Sequence, residues 1–164
     1  THNNLGNVYV AQEKFDLAEK EFGQVLRLDP GNREANYNLG LVLMARRLPA
    51  EAIPHFQRVR SADMATRFNL VRAYFQAGRT AGGLQLAREL SAQQKDDVQL
   101  HFTLAVLLAG AQQFPMAQLE LEKASALHSE TFEILFNLGQ VYLQSAEYQK
   151  AAVVLGRARN LAHD

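Results

Sequence analysis

The stretch Asn36-Tyr37-Asn38-Leu39-Gly40-Leu41-Val42-Leu43 decides how this chain folds, because its centre is written five times. Asn38-Leu39-Gly40 is followed by Leu43 and then by Ala52. The same phrase stands as Asn4-Leu5-Gly6 with Tyr9 and Ala18, as Asn69-Leu70-Val71 with Tyr74 and Gly83, as Thr103-Leu104-Ala105 with Leu108 and Ala117, and as Asn137-Leu138-Gly139 with Tyr142 and Ala151. The small residue steps through positions 6, 40, 71, 105 and 139, at intervals of 34, 31, 34 and 34, and the next Ala or Gly always follows 12 residues later. A fixed period near 34 marks an array of helical hairpins in which each unit buries its apolar face against its neighbours.

Within each unit the apolar residues fall at helical spacing in two blocks. In the second, Ala35, Leu39, Val42 and Leu43 make one face, and Ala52, Ile53, Phe56 and Val59 make another after a break at Leu48-Pro49. The spacing predicts first helices near 1–11, 33–45, 64–77, 98–111 and 131–145. It predicts second helices near 15–28, 50–60, 80–93, 114–127 and 148–162. Asn32, Asp63, Asp97 and Ser129 stand where N-caps belong, and Gly78 marks a hairpin turn. Where helices cross closely the facing residues must be small, so Gly6 is expected to meet Ala18, Gly40 to meet Ala52, Gly139 to meet Ala151, and Gly83 to make room for Val71. Pro54, inside the second unit, removes a helical hydrogen bond and is expected to bend its helix.

The succession Leu5-Gly6, Tyr9, Ala18, Phe22 and Pro30 resembles the tetratricopeptide repeat (TPR), and the likeness runs through the whole chain. It implies an all-α fold, a right-handed superhelical solenoid of five tandem helix-turn-helix repeats at about 1–30, 31–61, 62–95, 96–129 and 130–164. The tryptophan common near the start of the family's first helix is replaced here by His2, Asn36, Arg67, His101 and Leu135. The resemblance also implies a scaffold or adaptor whose concave face, lined by the first helices, binds an extended peptide or a partner protein. The alternative it leaves open is a regulatory or substrate-recognition segment of a larger enzyme. On that face the residues expected to bind are Asn4, Asn7, Asn38, Leu41, Asn69, Arg72, Gln76, Thr103, Asn137 and Gln140. The recurrent asparagines suit a peptide main chain, since an amide both donates and accepts. A second reading has them bond between neighbouring helices. The carboxylate clamp of family members that hold chaperone tails is not matched, because Asn3, Ala65 and Asn69 stand where its cations would be.

Composition narrows the function classes. The chain has 164 residues, no cysteine and a formal net charge of zero. It therefore lacks thiolate chemistry and the basic footprint of a nucleic-acid binder. The longest apolar run, Leu104 to Ala111, is 8 residues, so no membrane contact is expected. The charge is uneven: residues 1–45, 46–88 and 89–164 carry −2, +6 and −4, and all eight cations of the middle segment are arginines. Scattered over several helices, they read as solvated surface rather than as a docking patch for an acidic segment.

No catalytic set emerges, and neither cofactor nor metal is expected. The five histidines fall at unrelated places, and Glu120 with Glu122 reads as solvated surface. No enzyme activity is assigned. The last helix, with Ala151-Ala152-Val153-Val154-Leu155, has no polar outer face, which leads us to expect a longer natural chain and end-to-end self-association of this segment. The compartment is left open, the cytoplasm being the default.

Overall fold

A computed structural model describes residues 2–59, 62–127 and 131–162. Among these residues the fold is all-α, with ten helices and no strand: α1 (His2–Ala11), α2 (Phe15–Leu28), α3 (Arg33–Ala45), α4 (Pro49–Arg58), α5 (Met64–Gln76), α6 (Thr80–Gln93), α7 (Val98–Gly110), α8 (Phe114–Ala126), α9 (Phe132–Gln144) and α10 (Tyr148–Leu161). Each helix lies within two residues of its sequence-based bounds. The chain divides into two compact units, residues 1–85 and 86–164, the division falling within α6.

The hairpins are closed by one local device used five times. The residue two past the end of each first helix takes a left-handed backbone: Glu13 (φ 56°), Arg47 (61°), Gly78 (71°), Gln112 (58°) and Ala146 (58°). Its N–H donates to the carbonyl three residues back, and the next N–H donates five back, as in Glu13 to Val10 at 2.9 Å and Lys14 to Tyr9 at 2.9 Å. This is the Schellman arrangement, which satisfies carbonyls that the helix end leaves free. The acceptor of the longer bond is Tyr9, Leu43, Tyr74, Leu108 or Tyr142, the fourth residue of the repeated phrase in every case. Lys14, Leu48, Gln113 and Glu147 then begin the following helices without any side-chain cap.

Side chains cap the first helices instead. Asn32 accepts from the Ala35 N–H, Asp63 from Thr66 and Asp97 from Leu100, as the sequence suggests. Before α9 the cap is Thr131, which accepts from Ile134, while Ser129 lies outside the described residues. Helix α4 continues through Pro54 and, with 10 residues, is four shorter than α2.

In the first unit α1 packs on α2, α2 on α3, α3 on α4 and α4 on α5, and the first helices α1, α3 and α5 also touch in succession. The core joins Ala18, Phe22, Leu39, Val42, Leu43, Ala52, Ile53, Phe56 and Ala73. The small residues make room for large side chains. A Cβ on Gly40 would stand 2.6, 2.8 and 2.9 Å from three carbons of the Phe56 ring, and one on Gly6 would meet Phe22 in the same way. Gly83 likewise admits the Phe75 ring, its nearest atom 2.9 Å from the missing Cβ, and Gly82 admits Tyr74. The side chain nearest to a Cβ on Gly83 is thus Phe75. A ring extends beyond its own helix and needs the gap. In the second unit α7 packs on α8, α8 on α9 and α9 on α10, with α7 also touching α9. There Gly139 admits Leu155.

Candidate functional site

The exposed side of α1, α3 and α5 carries a row of amides joined by one carboxylate. Asn3 and Asn7 both donate through Nδ2 to Glu34, at 3.2 and 3.3 Å, and Asn38 donates to Oδ1 of Asn7 at 2.9 Å. Further along, Arg72 donates to Oδ1 of Asn69 at 2.8 Å, and the Asn69 amide lies 3.5 Å from the Tyr37 hydroxyl. Glu34, Asn7 and Arg72 are exposed, and Asn38, Leu41 and Asn69 are half-buried. The row arises because α1 and α3 touch side by side and residues three and four apart share one helical face.

These contacts place the sequence-derived residues as follows. Asn7 and Asn38 are brought together, and Asn69 is brought to Arg72. Asn4 is exposed, and it is Asn7 that holds Asn38. Gln76 and Gln140 are exposed. In the second unit the polar side chains turn back on their own helices: Thr103 donates to the Gln99 carbonyl at 2.8 Å and Asn137 to the Glu133 carbonyl at 2.8 Å. Tyr37 packs edge-on against Phe56, with centroids 6.2 Å apart. Phe136 instead stacks on Phe132 with both rings exposed.

A second polar system lies inside the hairpins, where the sequence reading missed it. The residue in the family's tryptophan position bonds the residue 19 further on: His2 to Glu21 at 2.6 Å, Asn36 to His55 at 3.0 Å and His101 to Glu120 at 2.6 Å. Three of the histidines are therefore not at unrelated places; His2 and His101 are equivalent, and His55 is equivalent to Glu21 and Glu120. His128 and His163 lie outside the described residues. The same positions also hold the preceding loop. Asn36 donates to the Pro30 carbonyl at 3.0 Å, Arg67 to Ala62 at 3.2 Å, and His101 Nε2 lies 2.9 Å from the Lys95 carbonyl. In the last repeat Leu135 and Val154 occupy this pair of positions with hydrocarbon, both buried.

Glu120 is the largest correction. It is 1 % exposed rather than solvated, and His101 is equally buried. A buried carboxylate is costly unless donors surround it. Here the Ser91 hydroxyl donates at 3.0 Å, the Lys123 ammonium at 2.8 Å, and His101 lies against the second oxygen. The interval of 19 between polar residues, repeated at 2/21, 36/55 and 101/120, is the signal that would have found it.

Local electrostatics follow these contacts. Burial lowers the pKa of His55, with Arg58 adding to the effect and Glu19 opposing it. The Thr66 N–H and hydroxyl hold Asp63 below the usual carboxylate range. Burial and the bond to Glu122, at 2.8 Å, raise Tyr142. The central arginines are partly engaged: Arg46 meets Asp16 at 3.1 Å and also Glu19, Arg72 donates to Asn69, and Arg60 is outside the described residues. Among the described residues no three His, Cys, Asp or Glu side chains gather as a metal site, and no helix is long and apolar enough to cross a membrane.

Paired helices with a common turn, cap and inter-helix gap define an all-α helical repeat protein. The profile of the family described as the tetratricopeptide repeat matches residues 3–67 and 102–162, and the chain belongs to that family. Its members are generally protein-interaction modules and non-catalytic scaffolds. No curated protein matches the sequence. Among solved structures the chain is similar to a MamA protein (TM-score 0.78, 18 % identity, covering 99 % of this chain and 90 % of that one). It is also similar to MamA from Desulfovibrio magneticus RS-1 (0.75, 16 %, 99 % and 93 %). A third likeness is to YrrB, described as a TPR protein with an unusual peptide-binding site (0.71, 17 %, 99 % and 86 %). At these identities the likeness is one of fold.

Proposed function

We propose that this protein is an interaction scaffold that holds an extended peptide segment of a partner protein along the α1–α3–α5 face. The observation that carries this reading is the row Asn7, Asn38, Asn69 and Arg72, which presents amides and a guanidinium beside the half-buried Leu41. Asn38 spends one amide proton on Asn7 and keeps its oxygen and a second proton for a ligand. A peptide main chain offers the matching N–H and C=O groups at short intervals, whatever its side chains. The peptide-binding description of YrrB, a protein of the same fold, agrees with this reading.

The test is selection from a random-peptide display library, followed by calorimetry with the enriched peptides. Asn38→Ala and Asn69→Ala should each weaken peptides of different sequence to a similar degree, by ~0.5–1.5 kcal/mol per lost hydrogen bond. Peptides that bind with unchanged affinity to the double variant would place the binding surface elsewhere.

A further inference from the structure

Between the end of α6, the start of α7 and α8 lies a pocket of about 490 Å³ within the second unit, on residues distinct from the amide row. Its floor is the buried Ser91, His101 and Glu120, and its walls combine the apolar Ala92, Met116 and Leu119 with three cations, Arg88, Lys95 and Lys123. The volume is that of an ordinary small-molecule site, in which apolar walls and a few convergent polar groups cooperate.

The charge balance favours an anion. The Glu120 carboxylate already has its counter-charge in the Lys123 ammonium at 2.8 Å, and His101 lies 2.6 Å from its second oxygen. Lys123 has a third ammonium proton beyond those given to Glu120 and to Ser91 at 2.8 Å, and its side chain is 39 % exposed. Arg88 and Lys95 line the pocket without an ion-pair partner among the described residues. Packing alone does not call for this arrangement, because Leu135 and Val154 fill the equivalent pair of positions in the last repeat with hydrocarbon. Replacing a buried ionic group by well-packed hydrocarbon is often neutral or stabilising, so the fold itself gains little from keeping His101 and Glu120.

We infer that this pocket binds a carboxylate attached to an apolar group, the anion meeting Arg88, Lys95 and the free proton of Lys123 while the hydrocarbon lies on Met116 and Leu119. The carboxylate could come from a small aliphatic acid or from the apolar C-terminus of a peptide, and both present the same chemistry.

The experiment titrates the whole chain with octanoate and with its neutral methyl ester, followed by backbone amide shifts and calorimetry. Two further probes are a short peptide ending in Leu-Leu with a free carboxylate and the same peptide amidated. Octanoate or the free-acid peptide should shift the amides of Ser91, Ala92 and Leu119, and the one that binds more tightly names the source. The ester and the amide should bind about tenfold more weakly or worse, the loss expected for a charge-assisted contact. Arg88→Gln with Lys95→Gln should bring the same loss without lowering the melting temperature, since neither side chain is bonded among the described residues. Leu119→Glu should abolish binding by placing a like charge at the apolar wall. Equal binding of acid and ester, unchanged affinity in the double glutamine variant, or no shift at these amides with any probe would overturn the inference.

Discussion

Gly40→Ala tests whether the gap for Phe56, rather than helix propensity, is what selects glycine in the repeated phrase. On propensity alone the change should stabilise α3 by about 1 kcal/mol. The structure reverses the sign. The new methyl would sit 2.6–2.9 Å from three ring carbons of Phe56, which is 1 % exposed and belongs to the core that includes Ile53, Leu39 and Val42. Ordinary contact requires the ring to retreat by roughly 0.8 Å into a close-packed core. Overpacking of this kind costs ~1–3 kcal/mol, so we expect a net loss of ~1–2 kcal/mol. The fourth repeat supplies the remedy: it has Ala105 and Leu121 at the equivalent positions, both buried. Phe56→Leu alone should cost ~1–2 kcal/mol through the space it leaves. The double variant Gly40→Ala with Phe56→Leu should be less destabilised than the sum of the two by at least ~1 kcal/mol, a coupling typical of residues in contact. Urea unfolding followed by circular dichroism measures all four corners of the cycle. Additivity within ~0.3 kcal/mol, or a rise in stability for Gly40→Ala, would refute the reasoning.

The left-handed turns make a reciprocal prediction: Gly78→Ala meets no neighbouring atom, so its cost of about 1 kcal/mol is backbone strain alone, and Ala146→Gly should stabilise by a somewhat smaller amount, both read as shifts in the urea midpoint. Asp63→Ala removes the cap of α5 and should cost ~1 kcal/mol at neutral pH. Because Asp63 is held below 3.8 in the folded chain, its contribution is present above that value and is lost as pH falls through the folded pKa, a trend the alanine variant should not show. His55 is held below 6.5, so the unfolded chain takes up this proton first; its contribution is present above 6.5 and fades as pH falls through the folded value. Imidazole shifts followed by NMR should show His55 titrating below 6.5, and His55→Gln should remove that component of the acid sensitivity.

The helices were legible in the sequence because the groups that start and stop them are local. Asn32, Asp63 and Asp97 cap within three residues, and a period-34 phrase registers every hairpin without reference to distant partners. The partners of the small residues were not legible. A Cβ on Gly40 would meet Phe56, 16 residues on, and the direction in which a ring reaches across a helix pair depends on the crossing itself. Glu120 was misread for a related reason: two positions from Glu122 in a charged stretch it looks solvated, and only the helix rotation that turns it onto His101 and Ser91 places it inside. The proposed binding face was half legible. The asparagines stand on one side of their helices, but pairing Asn38 with Asn7 rather than Asn4 requires knowing how α1 is set along α3.

The repeats separate what the fold demands from what it leaves free. The left-handed residue, the carbonyl acceptor of the turn and the small-residue gap recur because every hairpin needs them, and each can be met by several side chains: Glu13, Arg47, Gly78, Gln112 and Ala146 all serve at one position. Residue identity at such places therefore carries little information about partners. The tryptophan position and its neighbour 19 residues on behave differently. They are filled by His and Glu, by Asn and His, or by Leu and Val, and the last pair shows that hydrocarbon suffices for packing. Where an apolar solution exists and a buried ionic one stands instead, beside two cations that have no partner among the described residues, selection for stability is the weaker explanation. The same reasoning applies to the amide row of the first unit, whose members bond one another across helices, while Thr103 and Asn137 at equivalent positions bond only to their own helix. Function in this chain is to be sought where equivalent positions differ in chemistry, which is the ground on which we propose peptide recognition on α1, α3 and α5 and anion recognition at the Glu120 pocket.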